Sequence, residues 1–88
     1  MSVYDEFSKK VQQYAPAAFA LNYAIANDPE LSGEEYHACA RHVAACRDAG
    51  MDVTEQFSGQ ATAYKAVACQ TESPALRVAV LAEYDALP

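Results

Sequence analysis

Basic residues are scarce in this chain: six Lys and Arg stand against twelve Asp and Glu, a net charge of −6 over 88 residues. They do not cluster, and phosphate binding needs a basic patch, so nucleic acid is excluded as the expected partner. Long apolar runs are also missing. None approaches the roughly 18–20 residues that a membrane helix needs, and no membrane association is expected. The opening "MSVYDEFSKK" alternates charge, without the basic-then-apolar layout of a secretory leader. Cysteine is limited to three, an odd count with no short-spaced pair. That argues against a disulfide framework and for a reducing, cytoplasmic setting. Tryptophan is absent, glycine is sparse, and no internal repeat or low-complexity stretch occurs.

What is present is ordinary for a soluble globular protein: 52% apolar and 20% charged residues. The length allows one small domain, 1–88, which buries well under three-quarters of its unfolded surface and is marginal unless something helps. Tyr4, Phe7, Val11 and Tyr14 form a helical stripe of period 3.6. Pro16 interrupts before Phe19, Leu21 and Ile25, which predicts two short helices or one kinked helix. Asp28 precedes a proline and closes the segment.

"SGEE" at 32–35 then reads as a capping box, Ser32 and Glu35 each accepting from the other's backbone. It predicts a helix with Tyr36, Cys39, Val43 and Cys46 on one face, Arg47 in the last turn, and Gly50 as the stop. "MDVTEQF" alternates as a half-exposed strand, "SGQ" at 58–60 turns, and "ATAYKAVACQ" gives a second strand with Tyr64, Ala66 and Ala68 on one face. "TESP" at 71–74 is a turn by composition. "LRVAVLA", 76–82, is nearly continuous apolar, the pattern of a central strand buried on both faces. The predicted order is ααβββ, an α/β fold whose last strand needs covering on both sides and so implies more chain than this.

Several side chains invite a chemical reading. Cys39, His42 and Cys46 lie at i, i+3 and i+7 on one helix, which resembles a soft-metal site. One helix supplies only part of a tetrahedral set, however, and free cysteine behaves as a small core hydrophobe. Cys39 and Cys46 share the stripe of Tyr36 and Val43 and read as core positions. His37 lies off that stripe and reads as a solvated surface histidine. Cys69 has no basic neighbour or histidine close in sequence to activate it and reads as structural. The acidic run "NDPELSGEE" lacks the alternating ligands of a calcium loop, and capping accounts for it. Glu83 and Asp85 follow the last predicted strand, in the position where open α/β sheets place their chemistry. Residues i and i+2 project to one side of an extended chain. Both carboxylates could therefore meet one cation or one histidine, or merely mark where a strand leaves the core. Spacing leaves both readings open.

Two segments taken together resemble a known family. "NDPELSGEEYHACARHVAACRDAGMDV" resembles the opening of the zinc-dependent aminoacylase and carboxypeptidase group of peptidases, in its amidohydrolase branch. The shared features are a Pro-Glu-Leu turn, a Glu-Glu helix start, and Ala-Gly before the first strand. "LRVAVLAEYDALP" resembles that family's strand leading to its first active-site motif, commonly His-x-Asp-Ala-Leu-Pro. The likeness covers roughly residues 18–88. Glu83 stands where most relatives have histidine, as in the subgroup of Xaa-Arg dipeptidases and aminobenzoyl-glutamate hydrolases. There a Gly-His-Ala-Cys-Gly-His stretch usually follows, and its Cys and His carry the metal.

The resemblance implies a parent enzyme that hydrolyses amide bonds of N-acyl-amino acids or dipeptide-like substrates, using a divalent metal: zinc, or manganese or cobalt, which such sites share. It implies a three-layer catalytic domain with a mixed sheet, of which this chain is the N-terminal part, and a homodimeric parent. Asp85 falls on the family's Asp, which supports the metal cluster from behind its ligands. Glu83 falls on the histidine position, as a candidate metal contact. The remaining ligands and the general base lie in later segments of such enzymes, so the 88 residues alone are expected to be inactive. The alternative expectation is a small α/β module that acts by association through an unpaired sheet edge.

Overall fold

The computed structural model describes residues 2–88. Its elements run α1 (Val3–Ala26), α2 (Tyr36–Asp48), β1 (Asp52–Glu55), a 3-10 turn (Phe57–Gly59) and β2 (Tyr64–Val67). This is a small mixed α/β arrangement of two helices and a two-stranded antiparallel sheet.

A capping box starts the first helix, not the second. Ser2 Oγ accepts from the Asp5 N–H at 3.2 Å, and Asp5 Oδ2 accepts from the Ser2 N–H at 3.4 Å. Asp5 and Glu6 lie in the first turn, where negative charge meets the positive end of the helix dipole. The helix runs through Pro16 for 24 residues, so of the two expectations, a pair of short helices or one kinked helix, the pair is ruled out. Proline removes its own N–H and crowds the Gln12 carbonyl, at a cost of about 3 kcal/mol. Pro16 is exposed, which leaves that carbonyl open to water. At the far end the Asn27 side-chain amide donates to the Tyr23 carbonyl at 2.9 Å.

The second helix corrects the "SGEE" expectation. It begins at Tyr36 with Glu35 as its cap residue, and no side chain of the cap bonds the backbone. Its first turn is satisfied from farther back: the two Glu30 carboxylate oxygens accept from the N–H groups of His37 (2.9 Å) and Ala38 (2.8 Å). A carboxylate there fills two orphan donors and faces the positive helix end. The C-terminus is as read from the sequence. Gly50 takes φ +82°, its N–H donates to the Arg47 carbonyl at 2.9 Å, and the Met51 N–H reaches the Cys46 carbonyl at 3.0 Å. This paired closure requires a left-handed residue, which glycine supplies without strain.

β1 and β2 pair antiparallel with Asp52 opposite Val67 and Glu55 opposite Tyr64. The link between them passes through left-handed Gln56 and Ser58, and Lys65 lies 5.8 Å over the Phe57 ring. Arg47 and Glu55 join α2 to β1 at 3.0 Å. The buried core is small: Ala38, Cys39 and Val43 of α2, with Thr62 beside them.

The third strand is not formed. Residues 76–82 have neither helix nor strand, and Leu76, Val78, Val80 and Leu81 are 78–94% exposed. A β-branched, apolar composition describes how well a segment fits a buried pleated surface. It does not supply the partner that pairs the backbone, and no strand runs beside this one. Among the described residues the order is therefore ααββ, with one antiparallel sheet of two strands in place of the expected three. The tail is tied back at one point: Leu31 and Ala86 form a parallel bridge, and the Ala86 N–H donates to the Glu30 carbonyl at 2.7 Å.

The consequence is an open molecule, 46 × 30 × 21 Å, with a radius of gyration of 14.9 Å. A compact chain of this length has a radius of roughly 12 Å. Its accessible surface is 7392 Å², where a folded monomer of the same mass exposes about 5,000 Å². Among the described residues no helix is long and apolar enough to cross a membrane.

Candidate functional site

The polar and aromatic side chains gather where α2, β2 and the tail meet. His42 is one turn past Cys39 on the inner side of α2, Tyr64 opens β2, and Tyr84 is brought in by the tail. His42 Nδ1 and the Tyr64 hydroxyl share a hydrogen bond of 2.8 Å. The Tyr84 ring meets His42 edge-on, with centroids 5.0 Å apart and planes at 74°, and lies nearly parallel to Tyr64 at 6.4 Å. The His42 and Tyr64 centroids are 5.7 Å apart. Edge-on and offset arrangements suit the positive rim and negative face of aromatic rings.

A second line of hydrogen bonds closes the cluster. The Tyr84 hydroxyl donates to the Thr62 carbonyl, and Thr62 Oγ1 donates to Glu35 Oε1 at 3.1 Å. Thr62 is 8% exposed, so its hydroxyl needs this partner. Burial holds the His42 imidazole below the usual histidine range. Burial first, and Cys46 next, push the Tyr64 hydroxyl up to about 12. Burial and then the neighbouring Cys39 push Tyr84 higher than an ordinary tyrosine too. All three groups are therefore neutral near pH 7.

Since Tyr84 turns inward, Glu83 and Asp85 on either side of it turn out, and both are exposed. They share a groove of about 430 Å³ with His42 and with Ala18, Leu21 and Ile25 of α1. No strand lies beneath the two acids, and both belong to the lining of this groove. On the other side of Tyr84 a second groove, about 330 Å³, runs past Gly33, Glu35, Gln60 and Thr62. Among the described residues no three His, Cys, Asp or Glu side chains are grouped so as to hold a metal ion.

The remaining candidates fall elsewhere. Cys39 is buried and Cys46 half-buried, both in the core stripe with Val43, and all three cysteines are free. Cys69, read as structural, is exposed in a left-handed conformation beyond the end of β2. His37 is exposed but engaged: its Nδ1 lies 2.9 Å from Asp28 Oδ2, which also accepts from Arg41 Nη1 at 2.9 Å. The His37 hydrogen bond, and then that from Arg41, holds the Asp28 carboxyl below the usual range. The acidic run thus caps and pairs along its length, through Asp28 and Glu30.

Sequence reasoning missed Tyr84, Thr62 and Glu30. Tyr84 had a legible signal, since along an extended chain it faces opposite to Glu83 and Asp85. Thr62 and Glu30 had none, because their partners are 27 and 7–8 residues away.

No protein-family model matches the chain, and no curated protein or solved structure matches it.

Proposed function

We propose that this chain forms the N-terminal part of the catalytic domain of a metal-dependent amidohydrolase acting on N-acyl-amino acids or dipeptide-like substrates. The observation that carries the reading is the bridge between Leu31 and Ala86. It joins the two motifs on which the family resemblance rests, Pro-Glu-Leu at 29–31 and Asp-Ala-Leu-Pro at 85–88, which are otherwise fifty residues apart. The large exposed apolar surface of 76–82 supports it, as a segment suited to a sheet that later chain would complete.

In this reading Asp85 supports a metal cluster from behind, and Glu83 sits at its edge in place of the family's histidine. The residues of this chain do not fit a metal by themselves. Glu83 and Asp85 lack the third donor of a coordination set. What they supply is negative charge and hydrogen-bond acceptors at the groove, aimed by the inward anchoring of Tyr84 between them. The 88 residues alone are inactive in this reading, the parent is a homodimer, and its setting is cytoplasmic. Zinc, manganese and cobalt are the metals to supply.

The test is hydrolysis of N-acetyl-amino acids and dipeptides by the complete gene product loaded with each of these metals. Cleavage that falls about 10–100-fold in Asp85→Asn is expected, the usual cost of changing a group that orients metal ligands. A metal-loaded product that cleaves none of these amides overturns the reading.

A second reading, a module that acts by association without catalysis, is favoured by the same exposed stretch, Leu76 to Leu81. It gains if the complete gene product ends at Pro88 and the isolated chain associates through this segment.

A further inference from the structure

The apolar positions of α1 continue farther, and more regularly, than a stripe for one side of a small core needs. Tyr4, Phe7, Val11, Tyr14, Ala18, Leu21 and Ile25 are spaced 3-4-3-4-3-4. That is three heptads with every a and d position apolar, the repeat of a helix-to-helix seam. Pro16 falls at the outermost position of this repeat, where its missing N–H faces away from any partner. The two ends of the seam differ in what covers them. At the C-terminal end Leu21, Ala24 and Ile25 are half-buried against the body of the molecule. At the N-terminal end every residue from Ser2 to Tyr14 is exposed: Tyr4 84%, Phe7 67%, Val11 51% and Tyr14 55%.

We propose that the N-terminal half of α1 is a self-association surface, covered by the same seam of a second copy of this chain. Area and charge identify the occupant. Three part-exposed aromatic rings and a valine on each copy remove roughly 1,000 Å² from water between two copies, about the least that a specific contact buries. The molecule carries more than twice that excess over a compact monomer of its mass. On α1 the acids Asp5 and Glu6 balance Lys9 and Lys10, so the seam is neutral while the rest of the chain carries the whole net charge of −6. Two copies thus meet at a helix where like charge does not oppose them. The helix needs no partner to form there, because its C-terminal half is anchored and its N-terminus is capped at Ser2. This surface uses neither the groove nor Asp85, and stands whatever the parent hydrolyses.

Sedimentation velocity on the intact chain, from about 1 µM to about 1 mM, tests it. A reversible dimer is expected, weakened roughly tenfold or more by Phe7→Lys, which puts a charge at the centre of the seam. Gln13→Lys adds the same charge on the outer face and is expected to leave the dimer as it is. Circular dichroism reports whether each variant keeps its helix, and Tyr4→Lys, nearer the end, serves if Phe7→Lys does not. A chain that stays monomeric throughout overturns the proposal. So does a dimer indifferent to Phe7→Lys but lost in Val80→Lys, which assigns association to the tail.

Discussion

His42 and Tyr64 share a 2.8 Å hydrogen bond across the α2–β2 junction, and burial keeps the histidine neutral there. Since its pKa is depressed below 6.5, the folded chain binds fewer protons than the unfolded one as pH falls through that value. Stability is then full above about 6.5 and declines on acidification until the folded pKa is passed. Thermal melts between about pH 7.5 and 5 are expected to show a falling midpoint. His42→Gln keeps a hydrogen-bonding side chain but cannot titrate, and should lose that slope. Equal slopes in the two proteins would remove His42 as the cause.

The tyrosines act at the opposite end of the scale. Tyr64 is pushed up to about 12 by burial and Cys46, so the folded state holds its proton when the unfolded state has released it. Stability from this group is complete below about pH 10 and is lost as pH rises toward 12. Phenolate absorbance is expected to show late-titrating groups in the folded chain, one fewer in Tyr64→Phe. All phenols ionising together at the ordinary value would contradict the packing described.

Glu30, not Ser32, holds the start of α2. Glu30→Ala leaves the His37 and Ala38 N–H groups without their acceptor and is expected to cost about 1–2 kcal/mol in urea denaturation. Ser32→Ala should fall within about 0.5 kcal/mol of the parent. The reverse ranking would restore the capping box read from "SGEE".

Tyr84 is the anchor of the tail. Tyr84→Ala removes the ring contact with His42 and the hydrogen bond to the Thr62 carbonyl, at an expected cost of about 2 kcal/mol. The local sign is faster hydrogen exchange at the Ala86 amide, which is held by the Glu30 carbonyl. Unchanged protection at Ala86 would mean that the bridge to Leu31 stands without Tyr84.

Much of this molecule is legible residue by residue. The Tyr4-to-Tyr14 stripe, Cys39, Val43 and Cys46 on the inner face of α2, its glycine stop and the two short strands follow from periodicity and from one residue's freedom at positive φ. These are local properties, fixed by which neighbours lie within a turn or along a pleat. Tyr36, read onto the same face of α2, is instead 58% exposed, and Ala38 is buried in its place. The position of Pro16 was harder, because a proline's cost is known but the anchoring that offsets it comes from elsewhere in the fold.

The sequence alone thus determined where helix gives way to strand, the glycine stop of α2 and the pair of short strands, because each depends on spacing along the chain. Tertiary structure decided which acid caps α2, which tyrosine turns inward, and where the tail rejoins the Pro-Glu-Leu turn. It also decided that 76–82, apolar enough for a buried strand, stays unpaired. A strand exists only where a neighbour satisfies its backbone, and composition cannot provide one.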